Sequence, residues 1–212
     1  MSGLSKNSNS VKIIRLNDYI IDFKLDPVMP EKLQPWEITA RLPDLLRLMI
    51  QKPGKDYLVK DQLVIHRTAI IEQAAVIKPP ALIGAGCFIG AGAYLRGGIF
   101  LGESVTIGPG CEIKTSIISR GSVVAHFNFI GDSIIGNHVN VEAGAVIANH
   151  YNERDNKSIY VMFNEKVINT GSEKFGALVG DHSRIGANAV LSPGTLLKPS
   201  SVVKRLELIE QV

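Results

Sequence analysis

The sequence predicts an all-β solenoid of very short strands, and three observations predict it. Aliphatic residues return every six positions at Ile65, Ile71, Ile77, Ile83, Ile89, Leu95, Leu101, Ile107 and Ile113. The position four after each beat is small or β-branched in nearly every unit, through Ala69, Ala75, Ala81, Cys87, Ala93, Val105, Cys111, Val123, Val139, Ala145 and Ala189, so both columns are expected to face an interior. Glycines at 84, 86, 90, 92, 102, 108 and 110 fall between beats, where the chain must turn. A period of six matches neither the 3.6-residue helix nor the heptad, whereas an alternating strand followed by a turn accommodates it.

After one five-residue step the beat continues through Ile118, Val124 and Ile130, takes a second five-residue step to Ile135, and runs on through Val141 and Ile147. A further stretch follows at Val179, Ile185, Leu191, Leu197 and Val203. The run "IGAGCFIGAGAYL…FLGESVTIGPGCEI" resembles the hexapeptide repeat of left-handed parallel β-helix proteins, in which three units make one triangular coil. The resemblance implies six to seven coils of a single-stranded left-handed parallel β-helix across 64–212.

Two segments lie outside the beat. Residues 1–63 read as a polar tail followed by a helical connector. Trp36, Ile38, Leu42, Leu45, Leu46 and Met49 make a helical stripe behind Pro35, and this predicts a helix near 35–51 capping the first coil. Residues 152–176 interrupt the solenoid and predict a loop excursion from one corner, whose Tyr160, Val161, Met162 and Phe163 are expected to cross onto a neighbouring chain.

Composition narrows the function. A net charge of +3 without a basic stripe argues against nucleic-acid binding, though it is compatible with a phosphorylated substrate. The first ten residues lack the apolar core of a signal peptide and no run of about 20 apolar residues occurs, so no membrane span and a cytoplasmic location are expected. Cys87 and Cys111 are too few for a disulfide framework or cysteine metal cluster and read as small core residues.

Beats three apart stack on one face, so Leu95, Ile113, Ile130 and Ile147 form a column. Arg96 and Lys114 each follow a beat of that column and should project one coil apart as an anion site. His126, two residues after Val124, is expected near this pair, with Asn140 and Asn149 supplying amides. His66, His138 and His182 read as solvated turn residues. Phe127 and Phe129 read as packing at a subunit contact, and Asn140 also suits a turn cap.

The stretch "YLRGG…CEIKTSIISRGSVVAHFNFIGDSIIGNHVNVEAGAVIANHY" resembles the acetyltransferase domain of bifunctional glucosamine-1-phosphate acetyltransferase/N-acetylglucosamine-1-phosphate uridyltransferases and of archaeal sugar-1-phosphate nucleotidyltransferases. "LQPWEI" looks like the connector ahead of that domain. The resemblance implies acetyl-CoA-dependent N-acetylation of an amino-sugar phosphate by a homotrimer with sites between chains. It implies His126 as general base, Arg96, Lys114 and Lys157 at the sugar phosphate, and Asn140 and Asn149 as positioning amides. Ala143, Gly144, Ala187 and Lys204 fall on the acetyl-CoA side, with a backbone N–H near Ala143–Gly144 expected at the thioester oxyanion. Phe129 stands where the family usually has tyrosine, which bears on the identity of the sugar.

Acylation of a nucleotide-linked amino sugar or of another amine is a further reading of the same site, and two other classes compete. A γ-class carbonic anhydrase would need three converging histidines, and the twelve-residue spacing of His126, His138 and His150 scatters them, so no metal is expected. A non-catalytic β-helix, binding a sugar phosphate or acting as a scaffold, is the nearer rival.

Overall fold

A computed structural model describes residues 14–23 and 33–212 as a left-handed parallel β-helix with a short helix on its flank. The first face stacks Ile70–Ile71, Phe88–Ile89, Thr106–Ile107, Val123–Val124, Asn140–Val141, Arg184–Ile185 and Val202–Val203 in one seven-stranded parallel sheet. The second face begins at Val76–Ile77 and ends at Leu208–Ile209; the third begins at Leu63–His66 and ends at Thr195–Leu197. Seven rungs on the first face agree with the expected six to seven coils. Tyr94–Leu101 and Glu112–Ile118 run unbroken from the second face onto the third.

The beat residues fill the prism. Ile83, Ile89, Leu95, Leu101, Ile107 and Ile113 are fully buried in one continuous core, and each such side chain contributes roughly 1.5–3 kcal/mol by leaving water. One residue read into the second column does not belong to it, since the position four after the beat Ile118 is Ser122 and not Val123. Val123 points outward and is 39% exposed, while Ser122 takes the interior position, donating to the Gly136 carbonyl (2.7 Å) and accepting from the Val139 N–H (3.0 Å). Cys87 and Cys111 are buried beneath carbonyls, and burial pushes both thiols above their usual pKa.

The N-terminal region differs from expectation. The helix spans Pro35–Met49, its first turn closed by the Glu37 carboxylate accepting from the Gln34 N–H (2.7 Å). Instead of capping the first coil it lies along the third face, where Trp36, Ile38, Leu42, Leu45 and Leu46 pack in a second core with Ile117, Ile134, Leu178 and Leu196. The chain passes so close that a Cβ on Gly98 would sit 3.1 Å from Pro43. The first coil is instead capped by Tyr57–Lys60, antiparallel to Leu63–His66, so ordered β-structure begins before residue 64. Within the segment read as a polar tail, Ile14, Leu16, Tyr19 and Ile20 are buried in the second core; residues 1–13 lie outside the described residues.

The excursion leaves after Ile147 and returns at Ala177. It forms an antiparallel hairpin, Tyr160–Phe163 with Lys166–Asn169, and buries Ile159, Val161 and Phe175 against the third face of its own chain. That removes Val161 from the expected crossing onto a neighbour. Among the described residues no helix is long and apolar enough to cross a membrane.

Candidate functional site

The three edges of the prism sort the predicted residues. The first edge, joining the first and second faces, carries His126, Ala143, Gly144, Ala187 and Lys204 on successive rungs. Its turns are tied rung to rung: the Phe127 N–H donates to Pro109 (3.1 Å), Gly144 to His126 (3.0 Å), Asn188 to Ala143 (3.0 Å) and Leu206 to Ala187 (3.0 Å). His126 is exposed, and beneath it Asn128 is only 2% exposed. The Asn128 amide donates to the His126 carbonyl (3.3 Å) and its oxygen accepts from the Ala145 N–H (2.8 Å), so a buried polar side chain braces the turn that carries the histidine.

These bonds correct one expectation. The Gly144 N–H, expected at an oxyanion, is already donated to His126, and the Ala145 N–H to Asn128. The Ala187 N–H donates to Glu142 (2.9 Å), which also accepts two bonds from Arg205 (2.8 and 3.0 Å). The Arg205 guanidinium, followed by the Ala187 N–H, lowers the Glu142 carboxyl to about 2.

The second edge, joining the second and third faces, carries Arg96 and Lys114 in register, as expected from the repeat. They are not bare cations. Arg96 is paired with Glu112 (2.6 Å) and lies 5.9 Å from the Tyr94 ring, while Lys114 is paired with Asp132 (2.6 Å). Asp132 is buried, and the Asn149 amide donates to the same carboxylate oxygen. Lys114, Asp132 and Asn149 thus form one cluster on three successive rungs. Neither carboxylate was among the expected site residues. The available signal was position: Asp132 follows Ile130 by two, as Asn149 follows Ile147 by two.

His126 therefore does not sit beside Arg96 and Lys114. The strand Phe129–Gly131 separates the two edges by about 10 Å, the length of three extended residues. Phe129 lies in the middle of the second face, between Glu112 and Val146 on the adjoining rungs. Asn140 faces outward from the first face, between Val123 and Arg184. Lys157 belongs to a separate turn of the excursion, where the Asn156 oxygen accepts from the Ser158 N–H (3.0 Å). The excursion lysine that borders the second edge is Lys174. With Lys114, Thr115, Asp132 and the helix residues Ala40 and Pro43 it encloses a cleft of about 540 Å³. His126, His138 and His150 lie at three different edges, and the His138 and His182 rings stack 5.3 Å apart on the third.

Two curated proteins are similar in sequence to part of this chain. A bifunctional sugar-1-phosphate nucleotidylyltransferase/acetyltransferase from Sulfurisphaera tokodaii is 37% identical over 100 residues, covering 44% of this chain and 24% of that protein. The bifunctional protein GlmU of Methanococcus aeolicus is 34% identical over 90 residues, covering 42% of this chain and 21% of that protein. The aligned stretch thus spans a quarter or less of either relative's length. Among solved structures, LpxA, a UDP-N-acetylglucosamine acyltransferase from Bacteroides fragilis, is 17% identical with a TM-score of 0.43, covering 69% of this chain and 60% of that one. Residues 59–168, about half of the 212-residue chain, match the family described as GMPPB C-terminal domain. With that match over the repeats that carry both edges, the chain belongs to the GMPPB C-terminal domain family of hexapeptide-repeat β-helices.

Proposed function

We propose that the second edge of one chain, together with the first edge of a neighbouring copy, forms the site of an acyltransferase that moves an acetyl group from acetyl-CoA to the amine of an amino-sugar phosphate such as a hexosamine 1-phosphate. The observation that carries the proposal is the braced, exposed His126 on an edge whose next rungs present Ala143, Gly144 and Ala187, with the Lys114–Asp132–Asn149 cluster one face-width away. The amine and the phosphate of such a sugar stand on adjacent ring carbons, too close together to span one chain's second face, so the phosphate at one chain's second edge leaves the amine to the first edge of another copy. The relatives named for acetyltransferase activity support the same class.

The amine attacks the thioester carbonyl, forming the C–N bond as its proton passes to a His126 ring nitrogen. The tetrahedral intermediate collapses with loss of the C–S bond, and the imidazolium returns the proton to the departing thiolate. The Ala143 N–H, without a protein acceptor among the described residues, is the backbone donor left for the oxyanion. The Arg96–Glu112 pair is more than a third exposed and contributes at most about 1 kcal/mol, so a phosphate dianion can draw Arg96 away from it.

Asn140 and the first edge reach such a substrate only if another copy supplies them. We place the site between chains of a homotrimer, the first face of one against the second face of the next. Exposed Ile70, Val123 and Val202 on the first face, and Tyr94, Val190 and Leu208 on the second, support that arrangement.

The pairing of both cations with carboxylates favours the rival reading, a β-helix that binds a sugar without acylating it. A screen of amino-sugar phosphates with acetyl-CoA, followed by thiol release, separates the two. His126→Ala should lower kcat by about 10²- to 10⁴-fold, whereas Lys114→Ala should mainly raise the acceptor's KM. No thiol release with any amine, or full kcat in His126→Ala, leaves the binding protein as the better account.

A further inference from the structure

We infer that the strand Tyr57–Lys60 joins two copies of this chain end to end, pairing antiparallel with the same strand of the second copy about a two-fold axis at Leu58. The strands stacked on the third face end at Thr195–Leu197 on one side and at Tyr57–Lys60 on the other, and the two ends are finished differently. At the C-terminal end the Gln211 side chain occupies the free edge, accepting from the Leu196 N–H (2.8 Å) and donating to the Leu196 carbonyl (3.0 Å). At the N-terminal end, among the described residues, no strand pairs with the outer edge of Tyr57–Lys60. An open edge of this kind is a template for a further strand. It is also apolar: Leu58 is 53% and Val59 57% exposed, and the beat residue Ile71 of the first coil remains 38% exposed.

Hydrogen bonding and charge select the partner strand. The Arg67 N–H donates to the Asp56 carbonyl (2.9 Å), so the bonded pairs of the hairpin are 56 with 67, 58 with 65 and 60 with 63. Alternation directs the N–H and C=O of Tyr57 and Val59 away from the hairpin, with the Tyr57 N–H drawn to the Gly54 carbonyl (3.1 Å). A second copy can bond these groups in registers centred on Tyr57, Leu58 or Val59. Only the register centred on Leu58 is charge-complementary, because Asp56 of each copy then faces Lys60 of the other and Lys55 lies beside Asp61. The registers centred on Tyr57 and Val59 set Asp56 against Leu58 or Gln62 instead. One four-residue strand is a small contact, but the third face is covered by its own chain and lies away from the neighbours in the homotrimer proposed above. Two such trimers stacked head to head therefore close three strand pairs at once. That closed hexamer rests on the trimer; the pairing of two chains does not.

Light scattering of the full chain at micromolar concentration should give a hexamer, and Lys60→Glu, which sets like charges at both ends of the pairing, should give a trimer. Asp56→Lys combined with Lys60→Glu should restore the hexamer. Both side chains are exposed, so the thermal midpoints should stay within about 2 °C of the parent. Under mild oxidation Leu58→Cys should link two chains by a disulfide, since on-axis residues of a non-hydrogen-bonded pair stand about 4.5 Å apart. Val59→Cys, out of register with its own copy, should not. A parent dimer that Lys60→Glu turns into a monomer upholds the pairing and removes the trimer. A parent trimer, or a doubled mass that Lys60→Glu leaves intact, overturns the pairing alone, as does Leu58→Cys linking no better than Val59→Cys. A parent monomer removes both.

Discussion

At the scale of single residues, the outward positions carry chemistry that an inward-facing repeat cannot announce. Arg96 and Lys114 are in the register that the beat dictates, yet their charges are answered by Glu112 and Asp132, which stand in the same outward columns. A period of six says which residues share a column but not which of them touch. The Glu142–Arg205 pair on the first edge gives a measurable case. The folded-state pKa of Glu142, about 2, lies below the ordinary glutamate value of about 4.5, so the pair's stabilisation is fully present above that ordinary value and is lost as pH falls from about 4.5 to 2. Glu142→Gln should therefore have a lower thermal midpoint than the parent near pH 6, with the gap closing towards pH 2. A gap that stays constant from pH 6 to pH 2 would show that the carboxylate's charge is not what matters.

At the scale of elements, strands and coils were legible in the sequence while the covering of the third face was not. Ile83 through Ile113 announce themselves because they belong to nine beats of one period, and a buried isoleucine or leucine at each of these six satisfies one simple rule. Ile14, Leu16, Tyr19 and Ile20 belong to no repeat, and their docking depends on partners more than a hundred residues away. The Asp181 carboxylate accepts from the Ile21 N–H (2.8 Å) and the Asn137 N–H (2.6 Å), the Asn137 amide donates to the Ile21 carbonyl (3.0 Å), and the Asp181 N–H donates to the Tyr19 carbonyl (2.9 Å). Asp181→Ala leaves the Ile21 and Asn137 donors without that acceptor in a buried site, a loss of about 2 kcal/mol. We expect faster tryptic cleavage at Arg15 with the β-helix core still folded. Cleavage at the parental rate would mean that apolar packing alone holds the segment.

At the scale of the whole molecule, the third face is covered by the helix, the N-terminal segment and the excursion, which leaves the first and second faces to meet other chains. The excursion was expected to make that contact, but its Val161 is buried within its own chain, so the homotrimer proposed above would rest on the rung faces themselves. Because Asn140 faces out from the first face and Lys114 stands at the far edge of the second, a site needing both has to draw them from different copies. That arrangement predicts complementation. Lys114→Ala and Asn140→Ala should each be impaired alone. Refolded together in equal amounts, they should regain activity at about a quarter of sites, since a head-to-tail ring places an intact Lys114 next to an intact Asn140 in about one ordered pair of four. Mixed trimers, verified by mass, that gain nothing over the separate variants would mean that the two residues do not serve one shared site. The site would then have to be confined to the second face of a single chain.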